Sequence, residues 1–129
     1  MTWLLNSKEF ASVSHLPLRE RYAYFVKKVA DWEELWSLWN DGWAVMGDHQ
    51  GAEAVPVWPH RLFAETAAVA DWSAYAPRKI SLEEWLENWT AGMDRDGRMV
   101  AVFPTDVGAA VTVTPNKLKE DLEAEASRY

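Results

Sequence analysis

Apolar positions in this chain follow a helical spacing at first, then a strand spacing, then alternate between the two. Asn6 or Ser7 can cap a short helix carrying Phe10 and Val13, and Pro17 suits the first turn of a second helix. In that second helix Tyr22, Phe25, Val26 and Val29 lie on one face, and Asp31-Trp32 ends it. Leu35-Trp36-Ser37-Leu38-Trp39 then predicts a strand, because it is too apolar and aromatic for a loop. Asn40-Asp41-Gly42 is a hairpin turn by composition, since these residues tolerate positive φ. Trp43 to Met46 is the expected return strand, Gly47 to Gly51 a second turn, and Glu53 to Trp58 a third strand, which together make an antiparallel meander. Pro56 cannot donate to a ladder, so the third strand is expected at an edge or bulged there.

Pro59-His60 opens a third helix with Leu62, Phe63, Thr66 and Ala67 on one side, ending at Asp71-Trp72. Arg78-Lys79-Ile80 reads as a minor extended piece. Ser81 with Glu84 forms a capping box for a helix whose apolar face is Leu82, Trp85, Leu86 and Trp89. Asp94-Arg95-Asp96-Gly97 turns the chain into a strand from Met99 to Phe103, and Val111 and Val113 alternate with Thr112 and Thr114 in the next. Pro115 starts the last helix, with Leu118, Leu122 and Tyr129 as its buried stripe. The predicted fold is one α+β domain over residues 1–129. Its sheet is mostly antiparallel, about five strands in a meander plus a hairpin, covered by about five helices. Val29-Ala30-Asp31-Trp32 recurs as Val69-Ala70-Asp71-Trp72, read as two helix ends whose Trp folds back on its own helix.

Composition narrows the function. Cysteine is absent, which removes disulfides, thiolate metal sites and thiol nucleophiles. The net charge of −7 and the lack of a basic patch argue against nucleic acid as a partner and suit a basic protein. Arg19, Arg21, Lys27 and Lys28 read as a solvated helix face. The first residues lack the basic and apolar regions of a signal peptide, and no apolar run is long enough to span a bilayer, so no membrane partner and a cytoplasmic location are expected.

The search for chemistry yields few candidates. No nucleophile elbow, Walker loop, dinucleotide fingerprint or His-Glu-x-x-His occurs, and His15, His49 and His60 are too scattered for a metal set. Asp94 and Asp96 resemble part of a calcium loop, but Gly92 and Phe103 then stand where oxygen donors are needed. No metal and no cofactor are expected. His60, fixed by Pro56 and Pro59 near a helix start, could take part in binding with Glu65 one turn on to orient it. The plainer reading has His60 bond the helix start or pack on Trp58. Asp41 could present a carboxylate beside Trp43, although a turn there wants Asp anyway.

Nine tryptophans stand among the 129 residues. Trp85, Trp89 and Trp43 share faces with apolar neighbours and read as core, while Trp36 and Trp39 point to opposite faces of one strand. Trp3, Trp58 and one of Trp36 or Trp39 are the expected exposed set, and an exposed aromatic patch marks a binding surface.

Four separate motifs carry a family likeness: Arg21-Tyr22-x-Tyr24-Phe25-x-Lys27-Lys28-Val29-Ala30-Asp31-Trp32, Asp41-Gly42-Trp43, Pro56-Val57-Trp58-Pro59-His60 and Val102-Phe103-Pro104-Thr105. With them the chain resembles a small bacterial family filed as domain of unknown function 2750, a resemblance that implies no activity and no catalytic residues. From residue 43 onward the order of parts is also similar to the module named for the secretion chaperone SseB, a likeness that implies protein partners. The leading expectation is a non-enzymatic domain that binds another protein as an accessory, chaperone-like or immunity-type partner. The alternative is a small-molecule or sugar-binding pocket, catalytic or not, around Trp43, Trp58 and His60. A homodimer through the edge near Pro56 or a Trp face is the third expectation.

Overall fold

The computed structural model describes residues 3–47, 51–105 and 110–128, so the expectations placed on His49 and Tyr129 lie outside the described residues. Helix α1 (Ser7–Ser14) is capped by Asn6, whose side chain accepts from the Glu9 amide. Helix α2 (Leu18–Trp32) starts after Pro17 and stops at Glu33, which takes the left-handed conformation at φ 57°. Strands β1 (Glu34–Trp39), β2 (Met46–Gly47) and β3 (Glu53–Val57) follow. Helix α3 (Arg61–Ala67), a 3₁₀ turn (Ala70–Trp72) and strand β4 (Ala76–Ser81) come next. Leu82–Glu84, Trp85–Trp89 and Thr90–Asp96 run on as one helix, α4, whose middle is wound as π-helix. Ser81 caps it through the Glu84 amide, and Gly97 ends it at φ 71°. Strands β5 (Met99–Val102) and β6 (Val111–Val113) precede helix α5 (Pro115–Ala126), which Thr114 caps and Pro115 opens.

The α+β class and the mostly antiparallel pairing agree with the sequence, but the meander does not form. The chain does turn at Asn40–Gly42, and the Asn40 amide bonds the Gly42 carbonyl at 2.9 Å. Pairing on the return is limited to one bridge, Trp39 with Trp43. Along its whole length β1 pairs instead with β4, setting Leu35 against Ile80. Both side chains are fully buried, so the long-range partner supplies core that the local return segment cannot. The piece near Ile80 is therefore a full strand. The second sheet runs β2-β3-β5-β6, with β3 and β5 parallel and the other pairs antiparallel.

Strand β3 is interior rather than at an edge. Pro56 is tolerated because its missing N–H faces a gap in the ladder between the Ala54–Met46 pair and the Trp58–Trp36 bridge. Its carbonyl is met in that gap by the Ser37 hydroxyl at 2.7 Å. The Trp36–Trp58 bridge thereby joins the two sheets. Phe25 and Val29 of α2, Leu118 and Leu122 of α5, and Val57, Val100 and Trp85 close the core around them.

The repeated Val-Ala-Asp-Trp has two different fates. Its first copy is the last turn of α2, where Trp32 stacks on Trp3. The second copy lies beyond α3, with Val69 extended and Ala70 left-handed at φ 53°, so it does not end a helix. Its Trp72 packs edge-on against Trp58 rather than on its own helix.

Candidate functional site

Trp58, expected at the surface, is 0% exposed. Its indole N–H donates to the Pro104 carbonyl at 2.9 Å and so pins the exit of β5. Just before that point Phe103 is left-handed at φ 57°, a conformation that costs a non-glycine residue roughly 1–2 kcal/mol. Three contacts hold it there. The Phe103 amide donates to Val57, its carbonyl accepts from the Arg21 guanidinium, and its ring packs on Phe63 at 4.6 Å.

The bent exit of β5 forms one wall of a cavity of about 550 Å³. Phe10 of α1, Phe63 and Ala67 of α3, and Val69 and Trp72 of the following turn supply much of the remaining lining. Ala70, also left-handed, stands on this far side, so two of the four left-handed non-glycine residues among the described ones, Phe103 and Ala70, border the same cavity. The lining is mostly apolar. Thr105 borders it too, and the Thr105 hydroxyl is buried with no hydrogen-bond partner among the described residues. Val45 and Val69 reach the rim at 39% and 61% exposure.

The structure distributes the sequence candidates over several places. His60 caps α3, its Nδ1 accepting from the Leu62 amide at 3.1 Å. That leaves Nε2 to carry the proton and donate to the Trp3 carbonyl at 2.8 Å. With both ring nitrogens engaged and the side chain buried, His60 serves the fold and anchors the N-terminal segment. Glu65 does not orient it, because that carboxylate pairs with Arg61 at 2.7 Å on the surface. Trp3 is buried rather than exposed, held edge-on by His60 and under the Lys28 ammonium at 4.7 Å. Asp41 sits exposed in its turn at φ 54°.

Trp36 is half-buried with its indole N–H on Glu34, while Trp39 and Trp43 meet edge to face at 5.0 Å. The Arg78 guanidinium lies 4.4 Å over Trp39. Trp43, Trp58 and His60 do not gather around one cavity, and none of the three lines the cleft. Sequence reasoning missed Arg21, Ala70, Trp72, Phe103 and Thr105 as parts of a site. Arg21 heads the first family motif, Phe103 and Thr105 belong to the Val102-Phe103-Pro104-Thr105 motif, and Ala70 and Trp72 lie in the Val-Ala-Asp-Trp repeat, but none of these signals pointed to a cavity.

Half-buried tyrosines brace the neighbouring elements. Tyr22 donates to Asp121 of α5 and Tyr24 to Glu9 of α1. Burial first, then the bonded carboxylate, pushes both phenols well above the ordinary tyrosine value. Desolvation pulls the Arg21 guanidinium below its ordinary value. Among the described residues no group of three or more acidic or histidine side chains is placed to hold a metal ion. No helix among them is long and apolar enough to cross a membrane.

Residues 22–122 match a family model described as a protein of unknown function, DUF2750. Comparison with curated proteins and with solved structures found no match.

Proposed function

The chain belongs to the DUF2750 family, whose description assigns no activity, and we propose that it is a binding domain that takes a small, mostly apolar ligand in the cleft beside Phe103 and Trp72. The observation that carries this reading is the Thr105 hydroxyl, buried at the wall of a mostly apolar cavity with no hydrogen-bond partner among the described residues. Leaving such a group unsatisfied costs roughly 1–3 kcal/mol, which a ligand bearing one hydrogen-bonding group would recover. A volume of about 550 Å³ lies within the range of small-molecule sites. Strain at Phe103 and Ala70, on the cavity's walls, supports the same reading. A cytoplasmic setting fits the cysteine-free composition and belongs to the proposal.

A protein partner is the second reading, favoured by the exposure of Val45 and Val69 at the rim and by the net charge of −7. A basic partner inserting one apolar side chain would use the same cleft.

Paired aromatic probes test the first reading. We expect 4-ethylphenol to shift the NMR signals of Phe63, Trp72 and Thr105, and to bind about fivefold tighter than ethylbenzene, the worth of roughly one hydrogen bond. T105V should erase that difference. If neither probe perturbs these residues, the small-ligand reading fails. Retention of a basic protein by the native chain and its loss in V69D would then support the second.

A further inference from the structure

A second concavity, of about 510 Å³, lies between the Trp43 segment, β3 and α4. Two indoles wall it. Trp89 stacks on the buried Trp85, ring centroids 5.2 Å apart and planes at 20°, so Trp85 backs one of its faces. Trp43 meets Trp89 edge to face at 4.8 Å and 76°. Trp43 is in turn backed by Trp39 and by the Arg78 guanidinium at 5.5 Å.

The winding of α4 contributes to this placement. Trp85 and Trp89 bound its π-type stretch, a rare winding that recurs at functional sites. The Thr90 hydroxyl, one residue past it, donates back to the Trp85 carbonyl at 3.0 Å. Two rings fixed nearly at right angles lose little freedom when a ligand settles on them.

The polar groups around the indoles narrow the ligand class. Glu53 and Arg98 face each other at 3.6 Å, both well exposed, in an ion pair weak enough to open toward a ligand. Asn88 and Asp96 of α4 complete the polar part of the lining. An anion would meet two carboxylates here, and a cation would meet Arg98. A neutral ring rich in hydroxyls matches both the donors, Arg98 and Asn88, and the acceptors, Glu53 and Asp96. Its C–H face suits an indole, which offers a flat apolar surface with a negative π-face.

We propose that this concavity binds a neutral saccharide, with a pyranose ring against Trp43 and Trp89 and its hydroxyls bonded by Asn88, Asp96 and the Glu53–Arg98 pair. The site shares only Val45 with the apolar cleft, and the proposal stands whether or not that cleft binds a ligand.

NMR of the indole N–H groups tests it, with glucose, galactose, N-acetylglucosamine, maltose, cellobiose and lactose as probes. At least one sugar should move the Trp43 and Trp89 signals saturably, with a midpoint of about 1–10 mM, the affinity of a small exposed site. The exposed double variant N88A/D96A should keep the fold and weaken the response by roughly fivefold or more. T105V should leave it unchanged. The proposal is overturned if no sugar moves either indole, if N88A/D96A responds as the native chain does, or if T105V abolishes the response. It is equally overturned if tetramethylammonium saturates these signals while the sugars do not, which would make the corner an organic-cation cage.

Discussion

The Arg21 guanidinium donates through Nε to the carbonyl of Phe103 at 3.0 Å, tying the first turn of α2 to the bent exit of β5. Arg21 also donates to the Leu16 carbonyl at 3.2 Å and lies 5.8 Å over the Phe103 ring. A planar fork can serve both carbonyls and still face the ring, which a lysine cannot. R21A should therefore destabilise by about 2–3 kcal/mol, because it strands a buried carbonyl and leaves a left-handed Phe103 less supported. R21K should recover less than half of that loss. Urea unfolding measures both, and a loss in R21A below about 0.5 kcal/mol would show that the Phe103 turn sustains itself.

Glu33 ends α2 in the left-handed conformation, where a side chain gains nothing and glycine is unstrained. Its amide and carbonyl, bonded to Val29 and Leu82, are kept by glycine. E33G should stabilise by about 0.5–1 kcal/mol, the relief of left-handed strain less the added freedom of the unfolded chain. A raised thermal midpoint is the expected readout; a lowered one would place a stabilising contact on the Glu33 side chain.

Thr105 gives the opposite kind of test, in which a site residue is suboptimal for the fold. T105V removes a buried hydroxyl that has no hydrogen-bond partner among the described residues and keeps the branched shape. The free protein should then be unchanged or up to about 1 kcal/mol more stable, while selectivity for hydroxylated probes is lost. Calorimetric melting with and without 4-ethylphenol separates the two effects. A destabilised T105V would mean that the hydroxyl already serves the fold.

Tyr22 and Tyr24 predict the behaviour in alkali. Their phenols titrate higher in the folded chain than the value of about 10 in an unfolded one. Above that pH the unfolded state has released protons that the folded state still holds, so stability is full below pH ~10 and falls as pH rises beyond it. Equilibrium unfolding across pH 8–11 should show this decline, and Y22F/Y24F should flatten it. An equal decline in the double variant would assign it to other groups.

Capping chemistry was the most legible part of the sequence. Asn6, Ser81 and Pro115 act on residues three or fewer positions away, so local text suffices to place helix starts, although Thr114, read as strand, turns out to be the cap of the last helix. Strand partners were not legible. Asn40-Asp41-Gly42 announces a hairpin, and a turn is there, but nothing local tells β1 that Ile80 buries Leu35 better than the return segment does. Trp58 looked like an edge aromatic because Pro56 demotes a strand, whereas the gap beside Pro56 is filled by the Ser37 hydroxyl. Arg21 read as part of a solvated face, since its partner carbonyl lies far along the chain. Phe103 precedes a proline, a position that ordinarily favours extended backbone, so its left-handed turn had no local signature.

The crossed pairing of β1 with β4 and β3 with β5 also sets an order of events in time. Leu35 must find Ile80 and Val55 must find Val100, closures of about 45 residues each, before either sheet is complete. Helices α2 and α5 can form locally much sooner, so slow steps should gather in the sheets. Phe103 takes its amide bond from Val57 at the end of the β3–β5 ladder. The cleft wall is thus among the last surfaces completed, and a chain able to hold a ligand there has already finished folding.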